Sequence, residues 1–83
     1  MPARVLYKSS VAHDLKKINP QDRQRILRQI EETLGADVRS GEALHGEFEG
    51  LLRLRVGDYR VVYAIIGRDV LVLRVRHRSK SYV

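Results

Sequence analysis

Eighty-three residues leave room for one domain, 1–83, and a chain this size buries only roughly 60–65% of its unfolded surface, which excludes a large enclosed pocket. The absence of cysteine excludes a disulfide framework and a thiolate zinc site and fits a reducing compartment. The net charge of +6 sits wholly in the last third: residues 1–50 hold eight Lys and Arg against eight acids, whereas residues 51–83 hold eight against two, and seven of those eight are arginine.

Charge kept for solubility mixes both signs and uses lysine freely. A concentration of arginine instead points to planar, bidentate recognition of phosphate or carboxylate, and so to nucleic acid or an acidic peptide. The longest apolar run, Val61 to Ile66, is far short of a membrane span. The N-terminus lacks the basic-then-apolar pattern of a signal peptide. A cytoplasmic protein with no membrane partner is expected.

In chain order, Ala3 to Tyr7 predicts a strand. Ser9 and Ser10 are N-cap candidates for a first helix carrying Val11, Leu15 and Ile18, with Asp14 early and Lys16 and Lys17 late. Asn19-Pro20 ends that helix and opens a second, with Asp22 in its first turn. Ile26, Leu27, Ile30 and Leu34 make one apolar stripe, and Gly35 is a plausible stop. Arg23, Arg25, Arg28, Glu31 and Glu32 lie off the stripe and read as a salt-bridged solvent face. Residues 36–50 lose periodicity and read as a loop, in which His45 is expected at the surface.

Leu51 to Tyr63 reads as two strands joined by a tight Gly57-Asp58 turn, with glycine where a type II′ turn requires it. Such a turn pairs Val56 with Tyr59, Arg55 with Arg60, Leu54 with Val61 and Arg53 with Val62. One face carries Leu52, Leu54, Val56, Tyr59, Val61 and Tyr63; the other carries Arg53, Arg55 and Arg60. Like charges directly opposed on a sheet are destabilising, so an external anion is the natural partner. The last strand is Val70 to Arg76. A two-residue Gly67-Arg68 turn would put Arg74 and Arg76 on the apolar face, so a three-residue loop, Gly67-Arg68-Asp69, is expected instead, pairing Ile66 with Val70 and placing Leu71, Leu73 and Val75 on that face. Arg76 then stands opposite Arg60, and Arg74 opposite Val62. The expected fold is α+β: an antiparallel β-sheet packed on an N-terminal helical hairpin, in the order β-α-α-β-β-β.

Arg55, Arg60 and Arg76 would form one row of the open face and Arg53, Val62 and Arg74 the next, with Arg78, Lys80 and Tyr82 at the same parity. Such a face suits a phosphodiester backbone. Cleaving RNA through its own 2′-hydroxyl requires a base for the 2′ proton, cations for the charged phosphorane, and an acid for the 5′-oxygen. Arginine meets the second need. A two-metal mechanism would need clustered carboxylates, and the basic third offers only Asp58 and Asp69, both in turns; no metal and no cofactor is expected. Tyr82 is a candidate base if nearby cations lower its pKa, or a surface for stacking a nucleobase. His77 has a suitable intrinsic pKa, but its parity aims it at the core face.

The patterns Arg-x-Gly-Asp-Tyr-Arg-x-x-Tyr (55–63) and His-Arg-x-x-x-Tyr (77–82), with the helices around LKKI and ILRQIEETL, resemble the RelE/ParE superfamily of toxins, more specifically its RelE-like branch. The resemblance covers nearly the whole chain. It implies a ribosome-dependent mRNA endonuclease acting in the A site, and a partner antitoxin that blocks it. It also makes binding of the toxin–antitoxin complex to operator DNA an expectation. By the resemblance, Arg53 and Arg55 match the basic pair of the second strand and Arg60 the phosphate-binding arginine. Arg76 or Arg78 matches the arginine linked to leaving-group protonation, and Tyr82 the C-terminal tyrosine. Arg53, Arg55, Arg60, Arg74, Arg76 and Lys80 are the expected RNA contacts. Two positions depart from the family pattern: the basic pair is often lysine, and the position of Arg76 is commonly glycine. The alternatives are a ParE-like toxin that inhibits DNA gyrase without cutting RNA, and a non-catalytic binding module.

Overall fold

The computed structural model describes residues 3–79. Strand β1 (Val5–Tyr7) leads into helix α1 (Ser9–Leu15) and then α2 (Pro20–Ala36). The Asn19 side chain accepts a hydrogen bond from the Asp22 amide at 2.9 Å and Pro20 occupies the first turn, so α2 opens as its sequence predicts. Ile26, Ile30 and Leu34 are fully buried. Gly35 lies inside the last turn, and the helix ends one residue later, with the Asp37 amide bonded to the Thr33 carbonyl. Helix α1 differs at its start: Lys8 is the N-cap and no side chain caps it. The Ser10 hydroxyl instead donates to the carbonyl of Leu73 at 2.6 Å, because the junction sets it against the sheet.

Strands β2 (Glu42–Ala43), β3 (Leu52–Val56), β4 (Tyr59–Ile66) and β5 (Asp69–His77) complete a five-stranded sheet of order β1-β5-β4-β3-β2. A 3₁₀ turn covers Gly46–Phe48. The helical hairpin packs on one face. The sheet is mixed, not purely antiparallel, because β1 pairs parallel with β5 (Val5 with Val70, Tyr7 with Val72). Such a pairing between the two ends of the chain leaves no turn signal in the sequence.

The β3–β4 hairpin has the predicted register, from Val56 opposite Tyr59 to Leu52 opposite Tyr63. Gly57 adopts φ of +58°, which an L-residue rarely takes. The β4–β5 connection departs from expectation. Its loop is the two-residue Gly67-Arg68, with Ile66 opposite Asp69 and Ile65 opposite Val70. Gly67, at φ +63°, serves this turn as Gly57 serves the other. The extra residue is taken up further along, as a bulge where Tyr63 faces Val72 but Val62 faces Arg74. Val70, Val72 and Val75 therefore enter the core, and Leu71 and Leu73 do not. Beyond the bulge the register is the expected one, with Arg76 opposite Arg60.

Val11, Ile18, Ile26, Ile30 and Leu34 from the helices meet Leu52, Leu54, Val56, Val61, Tyr63, Val70, Val72 and Val75 from the sheet. Each such burial is worth about 1.5–3 kcal/mol before chain entropy is counted. Tyr63 also anchors the loop after α2: its hydroxyl donates to the Val38 carbonyl at 2.8 Å and accepts from the Gly41 amide at 3.0 Å. No helix among the described residues is long and apolar enough to cross a membrane.

Candidate nucleic-acid interface

With the helices on one face, strand alternation sends Arg53, Arg55, Arg60, Arg74 and Arg76 to the other. Arg55, Arg60 and Arg76 occupy one cross-strand row on β3, β4 and β5. Two guanidinium-bearing residues thus flank a third at the roughly 5 Å spacing of neighbouring strands, an arrangement that a bound anion would stabilise. Next to the Gly57 turn a shallow hollow of about 150 Å³ is lined by Arg55, Gly57, Asp58, Tyr59, Arg60 and Arg78. Arg78 is held there by its own amide, which donates to the Asp58 carbonyl at 2.7 Å. Its side chain lies 3.7 Å from the Asp58 carboxylate, a loose and exposed pair.

The second row is tied to acids. Arg53 pairs with Glu42 on β2 at 3.5 Å. Arg74 makes a two-pronged ion pair with Asp14 of α1, at 2.8 and 2.9 Å. Asp14 is 5% exposed and also accepts the Val75 amide at 3.0 Å. Burial works to raise its pKa, but the Arg74 hydrogen bonds, the Val75 amide and the charges of Arg74 and Arg76 outweigh it and leave the carboxyl below its ordinary value. Within this second row Val62, flanked by Arg53 and Arg74, is only 5% exposed although it lies on the open face.

Of the predicted site residues, the structure brings Arg55, Arg60, Arg76 and Arg78 to one end of the open face and sets Arg53 and Arg74 beside them. Lys80 and Tyr82 lie outside the described residues. His77 points to the helix side, opposite Tyr59, with the two rings edge-on and their centroids 5.3 Å apart. Its Nδ1 accepts the Ser79 amide at 3.2 Å, which places the ring proton of the neutral form on Nε2. The sequence reading missed Asp14, which reads there as a helix-dipole residue because its partner is 60 positions away.

A helical hairpin on a mixed five-stranded sheet is the fold of the RelE-like toxin structures. The ParE toxin family of type II toxin–antitoxin systems (parDE) matches residues 5–82. Toxin RelG of Mycobacterium tuberculosis is 34% identical over 89 residues, covering 99% of this chain and 98% of that protein. Toxin RelE3 of Methanocaldococcus jannaschii is 30% identical, covering 95% and 94%. In the solved RelBE2 toxin–antitoxin complex of M. tuberculosis, a chain 29% identical superposes with a TM-score of 0.87, over 96% of this chain and 95% of that one. The chain belongs to the RelE/ParE superfamily of type II toxin–antitoxin toxins.

Proposed function

We propose that this toxin is a metal-free, ribosome-dependent endoribonuclease that cuts mRNA in the A site. The observation that carries the reading is the single row Arg55, Arg60 and Arg76, extended at the turn by Arg78. In this reading the 2′-oxygen bonds to phosphorus as the bond to the 5′-oxygen breaks. The products are a 2′,3′-cyclic phosphate and a 5′-hydroxyl. Arg55 and Arg60 hold the scissile phosphate and the charge that gathers on its oxygens. Arg76 or Arg78 serves the leaving oxygen, and Tyr82 is the candidate proton acceptor, since arginine stays protonated.

A cognate antitoxin is the expected partner, since a similar chain was solved in a toxin–antitoxin complex. Its carboxylates on the arginine row would remove the phosphate site, and the complex is expected to bind operator DNA. The match to the ParE family favours a second reading, inhibition of DNA gyrase without RNA cleavage. Mapping mRNA 5′ ends after induction separates the two. Cuts inside codons of translated messages, absent in Arg60→Ala and Tyr82→Ala, support the nuclease. Double-strand DNA breaks without RNA cuts support the gyrase reading, and full toxicity in both variants refutes the assigned site.

A further inference from the structure

Strand β5 loses its outer neighbour halfway along, because β1 ends at Tyr7 opposite Val72. Past that point two side chains of α1 take over the edge. The Ser10 hydroxyl donates to the Leu73 carbonyl at 2.6 Å, and Asp14 accepts the Val75 amide at 3.0 Å. The spacing matches: four helical residues rise about 6 Å, and two strand residues advance about 6.6 Å. Both contacts bracket residue 74, immediately after the bulge that sets which side chains reach the open face.

We propose that Asp14 is a positioning residue, which locks β5 beyond its bulge so that Arg76 stands level with Arg60 and which holds Arg74 out of the phosphate site. The role rests on the reading of Arg60 and Arg76 as phosphate ligands. Three hydrogen bonds converge on one buried carboxylate: two from the Arg74 guanidinium and one from the backbone amide next to Arg76. Without it, the outer edge of β5 past Val72 would keep only the Ser10 contact to Leu73, and the Val75 amide would lose its partner. A bulge is the place where a strand can slip by one residue, and a slip of one residue turns Arg76 to the other face. Asp14 and Arg76 also line the same cavity of about 300 Å³, with Lys17, Ile18, Tyr59, Val75 and His77. The Nε of Arg76 is buried without a hydrogen-bond partner, so no hydrogen bond at that atom orients the side chain, and the backbone that carries it is secured by Asp14 one residue away.

The test compares wild type with Asp14→Asn, which keeps the shape and removes the charge, and Asp14→Glu, which keeps the charge and moves it by one methylene. Circular dichroism at the assay temperature gives the folded fraction of each. Inorganic phosphate is titrated while the backbone amides of Arg60 and Arg76 are followed by NMR. Asp14→Asn is expected to weaken phosphate binding about tenfold at equal folded fraction, with Asp14→Glu intermediate. On programmed ribosomes, its cleavage rate at saturating toxin should fall about 10- to 100-fold, with the half-saturating concentration changed far less. A residue that only stabilises the fold would lower the active fraction and leave both quantities unchanged in the folded molecules. Wild-type phosphate affinity in either folded variant overturns the positioning role. Weakened phosphate binding alongside a wild type that cuts no RNA supports that role and overturns the nuclease reading alone.

Discussion

Arg60 stands directly opposite Arg76 on the neighbouring strand, and opposite Arg55 on its other side. Three like charges in one row oppose folding, so their removal should relieve repulsion worth about 0.2–1 kcal/mol. Arg60→Ala is expected to match or slightly exceed wild type in urea denaturation. The same variant should lose cleavage by about 10²–10³-fold, the usual effect of deleting one donor to a transition-state charge. A variant that is both less stable and still active would contradict the assignment.

Binding through these arginines is electrostatic and should weaken as salt rises. With a single-stranded 2′-O-methyl RNA, which lacks the attacking hydroxyl, log affinity is expected to fall linearly with log salt. Each arginine in contact adds about 0.7 to the slope. Arg55→Ala and Arg60→Ala should each reduce the slope by that amount, read by fluorescence anisotropy at several salt concentrations.

Asp14 should make stability depend on acid. Its carboxyl titrates below its ordinary value in the folded protein, so the unfolded chain takes up its proton first as pH falls. Its contribution is thus complete above the unfolded pKa, about 3.9. It is lost as pH drops from there through the lower folded value. The cations around it are Arg74 and Arg76, with Lys17 and His77 lining the adjoining cavity. Asp14→Asn should be flatter between pH 5 and the acid limb than wild type in denaturation series. Asp14→Ala at neutral pH should cost about 2–3 kcal/mol, below the full cost of breaking a buried pair because Arg74 is partly exposed and can rehydrate.

Gly41 has no room for a side chain. A Cβ there would sit 2.6 Å from the Tyr63 hydroxyl and 2.8 Å from the Arg53 carbonyl. Gly41→Ala is expected to destabilise by about 1–3 kcal/mol. Tyr63→Phe should cost about 1–3 kcal/mol, by leaving the Gly41 amide and the Val38 carbonyl without their partner. Thermal denaturation checks both. Because the same loop carries Glu42 to Arg53, each change should also raise the exposure of that arginine to modifying reagents.

The β3–β4 hairpin was legible in the sequence because two signals agree there. Gly57-Asp58 dictates a two-residue turn, and that turn puts every arginine on one face. The β4–β5 hairpin offered conflicting signals. Arg74 and Arg76 demanded an odd offset, whereas Gly67-Arg68 demanded an even turn, and a bulge satisfies both. Val70 to Leu73 are all apolar, so either register buries good side chains and alternation cannot choose between them. The arginine row was legible because its parity survives the bulge. The edge contacts of Ser10 and Asp14 were not, since each depends on a partner more than 60 residues away.

The serine and aspartate on the outer edge of β5 also bear on how the molecule avoids its own copies. A strand edge with free amides and carbonyls templates addition of another strand, which is how sheets aggregate. The carbonyl of Leu73 and the amide of Val75 are already occupied by side chains from α1. Side chains cannot be extended by a further strand as a backbone ladder can, so this stretch of the β5 edge is closed to β-addition while the cationic face beside it stays open.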